Sequence, residues 1–182
     1  QCMDTIFLPT IRAMQEEGRP FTGCLYFGLM LTPNGPKVIE YNCRFGDPET
    51  QVVLPLLKTD LVDIMLAIWE GKLDECSIEW KDGCAACVVM ASGGYPKKYA
   101  TGLPISGLDE NGQVANCFVY HAGTKLDGDT ILTAGGRVLG VTATADTLPN
   151  ALQTAYDGVK SIAFQDAHYR NDIGQRALKA LS

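Results

Sequence analysis

The sequence predicts an α+β protein in two parts: a hairpin with helices over residues 1–80 and a compact, strand-rich α+β domain over residues 81–182. Three observations carry that prediction. Apolar residues recur at helical spacing near both ends of the chain, at Met3, Ile6, Phe7, Ile11 and Met14 and again at Leu148, Leu152, Ala155, Val159 and Ile162. Between them lie short β-prone runs parted by turn residues such as Pro33-Asn34-Gly35 and Gly93-Gly94-Tyr95-Pro96. The character of the chain changes around residues 77–83, beyond which Ala85–Ala91 is an unbroken apolar run.

In order, residues 3–17 read as an amphipathic helix ended by Gly18, with Pro9 either kinking it or marking a later start. Residues 21–32 and 36–43 read as two strands of an antiparallel hairpin. Gly46-Asp47-Pro48-Glu49 reads as a helix opening, with Asp47 as N-cap and Pro48 at the first helical position. Asp60 caps a further helix running through Trp69 to Gly71. After the Ala85–Ala91 strand, short strands and glycine-rich turns continue to about residue 144. A helix over 147–163 follows, with Pro149 in its first turn, then a short one within Asp172–Leu181.

Composition excludes several classes. With 46% hydrophobic and 20% charged residues, a chain of 182 residues has the makings of a folded core. A net charge of −6 with scattered basic residues argues against a nucleic-acid surface, although a few cations and a metal can still hold an anionic nucleotide. No apolar run reaches the length of a bilayer span, and Gln1-Cys2-Met3-Asp4 lacks the basic start of a signal peptide. The seven cysteines are irregularly spaced, several in apolar runs (Cys24, Cys87, Cys117), and read as reduced, mostly buried thiols of a cytoplasmic protein. Cys84 and Cys87 on one strand point to opposite faces, and no second such pair follows, so a structural role is expected of them. Helical spacing that starts at the first residue predicts a natural polypeptide extending upstream.

The chemistry concentrates in Val38-Ile39-Glu40-Tyr41-Asn42-Cys43-Arg44-Phe45-Gly46-Asp47-Pro48-Glu49. On a strand Glu40 and Asn42 share a face, joined by Arg44 if the strand reaches that far, while Ile39, Tyr41 and Cys43 point into the core. A carboxylate beside an amide oxygen is a hard, oxygen-only donor pair that suits Mg²⁺, and a nearby Arg can hold an anion formed in a reaction. The same alternation also describes a plain solvated strand face.

Glu40-x-Asn42-x-Arg44 resembles the metal-binding strand of the ATP-grasp superfamily. The longer run 38–51 is similar to glycinamide ribonucleotide synthetases (phosphoribosylamine–glycine ligases) in particular. So, in order along the chain, are Phe21-Thr-Gly-Cys-Leu-Tyr-Phe-Gly-Leu-Met, Ala91-Ser-Gly-Gly-Tyr-Pro, His121-Ala-Gly-Thr124, Gly135-Gly-Arg-Val-Leu139 and Asp172-Ile-Gly174. The resemblance implies the C-terminal part of an ATP-grasp module over 1–80 and that family's C-terminal domain over 81–182. It implies a cytoplasmic enzyme of purine biosynthesis, expected to be a monomer, acting on ATP, glycine and 5-phosphoribosylamine through glycyl phosphate. Mg²⁺ (or Mn²⁺) would sit on Glu40 and Asn42, and Arg44 would stand at the acyl-phosphate centre. The N-terminal part of the enzyme would lie upstream, so residues 1–182 alone are expected to be inert.

In the C-terminal part, Arg137 after Gly135-Gly136 has two open readings: a contact to the substrate phosphate, or an exposed Arg beside a hairpin turn. Gly94 and Tyr95 form either a substrate-facing loop or a tight turn with a packed ring. A lone His such as His121 at a strand end is more often structural than substrate-binding. Two alternatives stand beside the ligase: a different ATP-grasp enzyme of biotin-carboxylase type, and a non-catalytic nucleotide-binding module.

Overall fold

Pro9 decides where the first helix becomes regular. It has no N–H to donate, so an α ladder cannot run unbroken through it. The computed structural model, which describes residues 1–181, begins with a π turn at Met3–Phe7, closed by the Leu8 N–H on the Met3 carbonyl. Helix α1 (Leu8–Glu16) then starts with Pro9 in its first turn, the later start that was one reading of the sequence.

Two compact units are formed: residues 1–47 with 58–79, and residues 48–57 with the chain from Trp80 onward. In the first unit, β1 (Tyr26–Thr32) and β2 (Gly35–Asn42) pair antiparallel around Pro33-Asn34. The Thr32 hydroxyl fastens that turn, donating to the Gly35 carbonyl at 2.7 Å. The strand expected from residue 21 starts only at Tyr26, because Gly23 at φ +134° is not in strand conformation. The register slips once: Gly28 faces Glu40 and Leu29 faces Val38, so Ile39 is the extra residue of a bulge. Phe27 links the hairpin to the helical start, its ring 4.5 Å from that of Phe7 and 5.3 Å from that of Tyr41.

The expected inward face of β2 is not buried. Ile39 is 62% and Tyr41 51% exposed, and Cys43 is exposed as well. The hairpin has two strands only, and within its unit the Phe7 contact covers just the Phe27–Tyr41 end. Helix α3 (Leu61–Glu70) is capped as its sequence predicts. The Asp60 carboxylate accepts the Val62 N–H at 2.7 Å, and Gly71 closes the helix at φ +70°. It buries Ile64 and leaves Val62, Met65, Leu66 and Trp69 exposed.

The second unit holds nearly all of the described core. Helix α2 (Thr50–Val53) opens at Thr50, later than expected. Residues 47–49 form a turn in which the Glu49 carbonyl accepts the N–H groups of Val52 and Val53, and Glu49, not Asp47, immediately precedes the helix. A 3₁₀ turn at Leu54–Leu56 follows. The sequence boundary puts residues 48–57 in the first unit, but the structure groups them with the second. Lys81 N–H donates to the Leu56 carbonyl at 2.7 Å, and Leu57 bridges Trp80.

Strands β3 (Cys84–Ala91), β4 (Phe118–His121) and β7 (Arg137–Ala145) form an antiparallel sheet in the order β3-β7-β4, and β5 (Thr124–Asp127) pairs with β6 (Thr130–Thr133). β7 is buried without a break from Val138 to Ala143, as a central strand must be. Helix α4 (Leu148–Ser161) is capped by the Thr147 hydroxyl and lays Ala151, Leu152, Ala155, Gly158 and Val159 on the sheet. Gly158 has a physical reason to be glycine: a Cβ there would lie 2.7 Å from the Cys117 sulfur and 3.1 Å from Val141 Cγ1. The last helix, α5 (Gln175–Leu181), is tied back through Tyr156. Its hydroxyl donates to the Arg170 carbonyl at 2.8 Å and accepts the Ile173 N–H at 3.0 Å. No helix among the described residues is long and apolar enough to cross a membrane.

All seven cysteines are free thiols, and Cys43 is exposed while the other six are half-buried, less sheltered than the sequence suggests. Burial pushes up the thiol pKa of Cys24 and Cys117, and the charge of Asp157 adds to the effect at Cys117. A raised pKa leaves less thiolate at a given pH. Iodoacetamide at pH 8 should therefore label Cys43 before Cys24 and Cys117, as read by peptide mass mapping over time. Tyr156→Phe removes both bonds of its hydroxyl. It should cost about 1–2 kcal/mol in urea unfolding and speed hydrogen exchange at the Ile173 amide.

Candidate functional site

Backbone pairing builds the hairpin site. Tyr26 faces Asn42, Phe27 faces Tyr41 and Gly28 faces Glu40, so Glu40 and Asn42 stand on the face opposite the Phe27–Tyr41 rings. The two side chains meet: Asn42 Nδ2 donates to Glu40 Oε1 at 3.3 Å. Asn42 Oδ1 and the remaining lone pairs of the carboxylate are left to accept from, or coordinate, something else. Glu40 is exposed and Asn42 half-buried, so the pair is open to a ligand.

Arg44 does not join that row. β2 ends at Asn42, the chain bends at Cys43-Arg44, and the guanidinium donates from Nη1 to the Phe45 carbonyl at 2.8 Å. Alternation therefore brings together Glu40 and Asn42 and not the third residue. Among the described residues no cluster of three or more His, Cys, Asp or Glu is placed to hold a metal. A cation on this pair would draw most of its ligands from water and from a bound anion, which is how Mg²⁺ is commonly held.

The second unit brings another group of the sequence-predicted residues together. Ser92, 2% exposed, ties the end of β3 to the approach to β7, its N–H donating to the Gly136 carbonyl at 2.8 Å and its hydroxyl to the Gly135 carbonyl at 2.9 Å. The Tyr95 and Tyr99 rings lie 6.1 Å apart over Gly136. A Cβ on Gly136 would lie 2.7 Å from Tyr95 Cε2 and 3.1 Å from Tyr99 Cε1, so its missing side chain is the space those rings occupy. Gly135 packs on Gly123, the glycine after His121-Ala122. Arg137 follows as the half-buried first residue of β7. His121 is held at both ring nitrogens, Nδ1 3.0 Å from the Thr124 hydroxyl and Nε2 2.9 Å from the Gly112 carbonyl. A neutral ring with its proton on Nε2 satisfies both contacts at once.

The family model "Phosphoribosylglycinamide synthetase, C domain" matches residues 85–176, and "Phosphoribosylglycinamide synthetase, ATP-grasp (A) domain" matches residues 1–50. The chain belongs to the phosphoribosylglycinamide synthetase family. It is 49% identical over 170 residues to the phosphoribosylamine–glycine ligase of Caldanaerobacter subterraneus subsp. tengcongensis, covering 93% of this chain and 40% of that protein. It is 51% identical over 179 residues to the trifunctional purine biosynthetic protein adenosine-3 of Bos taurus, covering 98% of this chain and 18% of that one. Among solved structures it resembles the phosphoribosylamine–glycine ligase of Thermotoga maritima, with a TM-score of 0.80 and 32% identity over 93% of this chain and 41% of that one. The chain thus spans about two-fifths of the length of the single-function relatives it matches.

Within this synthetase-family chain, sequence reading missed three residues that shape the sites. Ser92 and Tyr99 carry no sequence signal of their own, although Ser92 lies in the Ala91-Ser-Gly-Gly run and Tyr99 lies four residues after Tyr95. Gly28 was missed because its meaning depends on which residue it faces across the hairpin. If the glycine at 136 exists to admit the Tyr95 ring, Gly136→Ala should cost about 1–3 kcal/mol by overpacking, measured by urea unfolding. Adding Tyr95→Ala to that variant should recover part of the loss.

Proposed function

We propose that this chain is the C-terminal part of an ATP-dependent ligase that joins 5-phosphoribosylamine to glycine, giving glycinamide ribonucleotide, ADP and phosphate. The observation that carries the proposal is the hydrogen-bonded Glu40–Asn42 pair, on one hairpin face within the region matching the family's ATP-grasp domain. The names of the single-function relatives support the substrate pair. In this reading a glycine carboxylate oxygen attacks the γ-phosphorus of ATP and ADP leaves. The phosphoribosylamine nitrogen then attacks the carbonyl carbon of glycyl phosphate, losing a proton as phosphate departs.

Glu40 and Asn42 would hold Mg²⁺ or Mn²⁺, and their two hard oxygen donors fit such an ion. When bound, the ion offsets the charge of the ATP phosphates. Asn42 steadies the Glu40 carboxylate through its amide N–H. Arg44 is proposed at the acyl-phosphate centre; its guanidinium spends one N–H donor on the Phe45 carbonyl and keeps others for an anion. Arg137, together with Gly135, Gly136, Gly94 and Tyr95, is the proposed contact to the phosphoribosyl phosphate. His121 supports that region through its two internal bonds. The domains are proposed to divide near residue 80, with the C-terminal part of the ATP-grasp module over 1–80 and the family's C-terminal domain over 81–182, and the enzyme is proposed to work as a cytoplasmic monomer.

The test is ADP release by the natural full-length protein containing this chain, with Mg-ATP, glycine and freshly made phosphoribosylamine. Release should need both substrates, and Glu40→Ala should lower it at least roughly a hundredfold. Arg137→Ala should raise KM for phosphoribosylamine more than for ATP, and residues 1–182 alone should release no ADP. Release that ignores glycine points instead to another ATP-grasp ligase, and tight Mg-nucleotide binding without turnover to a binding module.

A further inference from the structure

Gly28 stands in the interior of a strand, where glycine weakens pairing and offers nothing to pack. Its backbone does not require glycine, because its φ lies outside the left-handed region. Nor does the bulge beside it, whose extra residue is Ile39 on the partner strand. The reason is across the hairpin. Gly28 pairs directly with Glu40, and a Cβ at 28 would lie 2.7 Å from Glu40 Cγ, 3.4 Å from Oε1 and 3.5 Å from Cδ. The Glu40 side chain lies over the place a side chain at 28 would fill.

The bulge acts on the same side chain. It falls immediately before Glu40, and pairing is regular again at Tyr41 and Asn42. Bulges re-aim the residues next to them. Glu40 is thus turned by the bulge on one side, laid across bare backbone at Gly28, and held by the Asn42 amide at 3.3 Å. Any side chain at 28 meets Glu40 at its Cγ, in mid-chain. The exposed carboxylate can swing aside at little cost to the fold, but it then leaves Asn42.

We infer that Gly28 is a positioning residue for the Glu40–Asn42 cation site: its missing side chain lets the Glu40 carboxylate lie across β1, where it and Asn42 present oxygens to one ion. The inference rests on the proposed metal role of Glu40 and Asn42, and the experiment separates the two.

The natural full-length protein and its Gly28→Ala, Glu40→Ala and double variants are titrated with Mn²⁺–ADP, with bound Mn²⁺ read by electron paramagnetic resonance. ADP binding without metal and the thermal midpoint are measured alongside. Gly28→Ala should melt within about 4 °C of the parent and bind ADP alone as the parent does. Its Mn²⁺–ADP affinity should fall roughly ten- to hundredfold. The double variant should bind no more weakly than Glu40→Ala, because Gly28 acts only through Glu40. Parental Mn²⁺ affinity in Gly28→Ala, with a loss in Glu40→Ala, overturns the positioning role and leaves the metal reading standing. Losses that add in the double variant also overturn it. Unchanged affinity in Glu40→Ala removes the metal reading and this inference with it. If Gly28→Ala does not fold, Glu40→Ala in the same chain must restore folding, since it removes the Cγ that the new methyl meets; failure to do so refutes the inference.

Discussion

The second unit depends on β7. It is hydrogen-bonded to β3 along one edge and to β4 along the other, and it is buried from Val138 to Ala143. It pairs with β3 from Arg137 to Ala145 and with β4 from Leu139 to Thr142, so its geometry is set by neighbours on both edges. The functional side chains proposed there sit at the N-terminal end of this strand. Gly135 and Gly136 lead into it, Arg137 is its first residue, and His121 on β4 faces Leu139. Ser92, just past the end of β3, bonds to the carbonyls of both glycines. Residues 43 and 44 positions apart in sequence are thereby held within a hydrogen bond of one another by the register of one sheet.

The first unit is held differently. Ile64 is its only residue in the described hydrophobic core, so burial contributes little to it. Its hairpin rests on the backbone ladder, the Thr32 turn and the Phe7–Phe27–Tyr41 rings. The ladder alone is enough to align Glu40 with Asn42, because it fixes which residues share a face. It does not fix the direction of a long, exposed side chain on that face. The bulge, the Asn42 amide and the bare backbone at Gly28 supply that direction.

What the sequence made legible is local. Asp60 and Gly71 bound α3, and Thr147 and Pro149 open α4, because caps and first-turn prolines act within a few residues of themselves. The Glu40–Asn42 pair was legible for the same reason, since a period of two needs no tertiary information. What was missed needs a partner distant in sequence. Alternation separates Ile39 and Tyr41 from Glu40 but does not say whether any layer covers them, and here they are exposed. Alternation includes Arg44 only if the strand reaches it, and β2 ends two residues earlier. The four-residue helix Thr50–Val53 is too short to show a period, so its place against the sheet of the second unit could not be read.

Three glycines show how far position in the fold governs a residue's meaning. Gly28, Gly136 and Gly158 all have φ values that other residues adopt, so none is explained by backbone freedom. Each is explained by what fills the space of the absent Cβ: the Glu40 side chain, the Tyr95 and Tyr99 rings, and the Cys117 sulfur with Val141. The first bears on a proposed ion site, the second on a loop beside a proposed phosphate contact, and the third on helix-to-sheet packing. Composition and turn propensity treat the three alike. Only the neighbour across the strand, across the loop or beneath the helix separates a glycine that aims a ligand from one that admits a ring or closes a core. Where proposed site residues stand on a hairpin face and at a strand entry, the residues that leave room shape the site as much as those that reach into it.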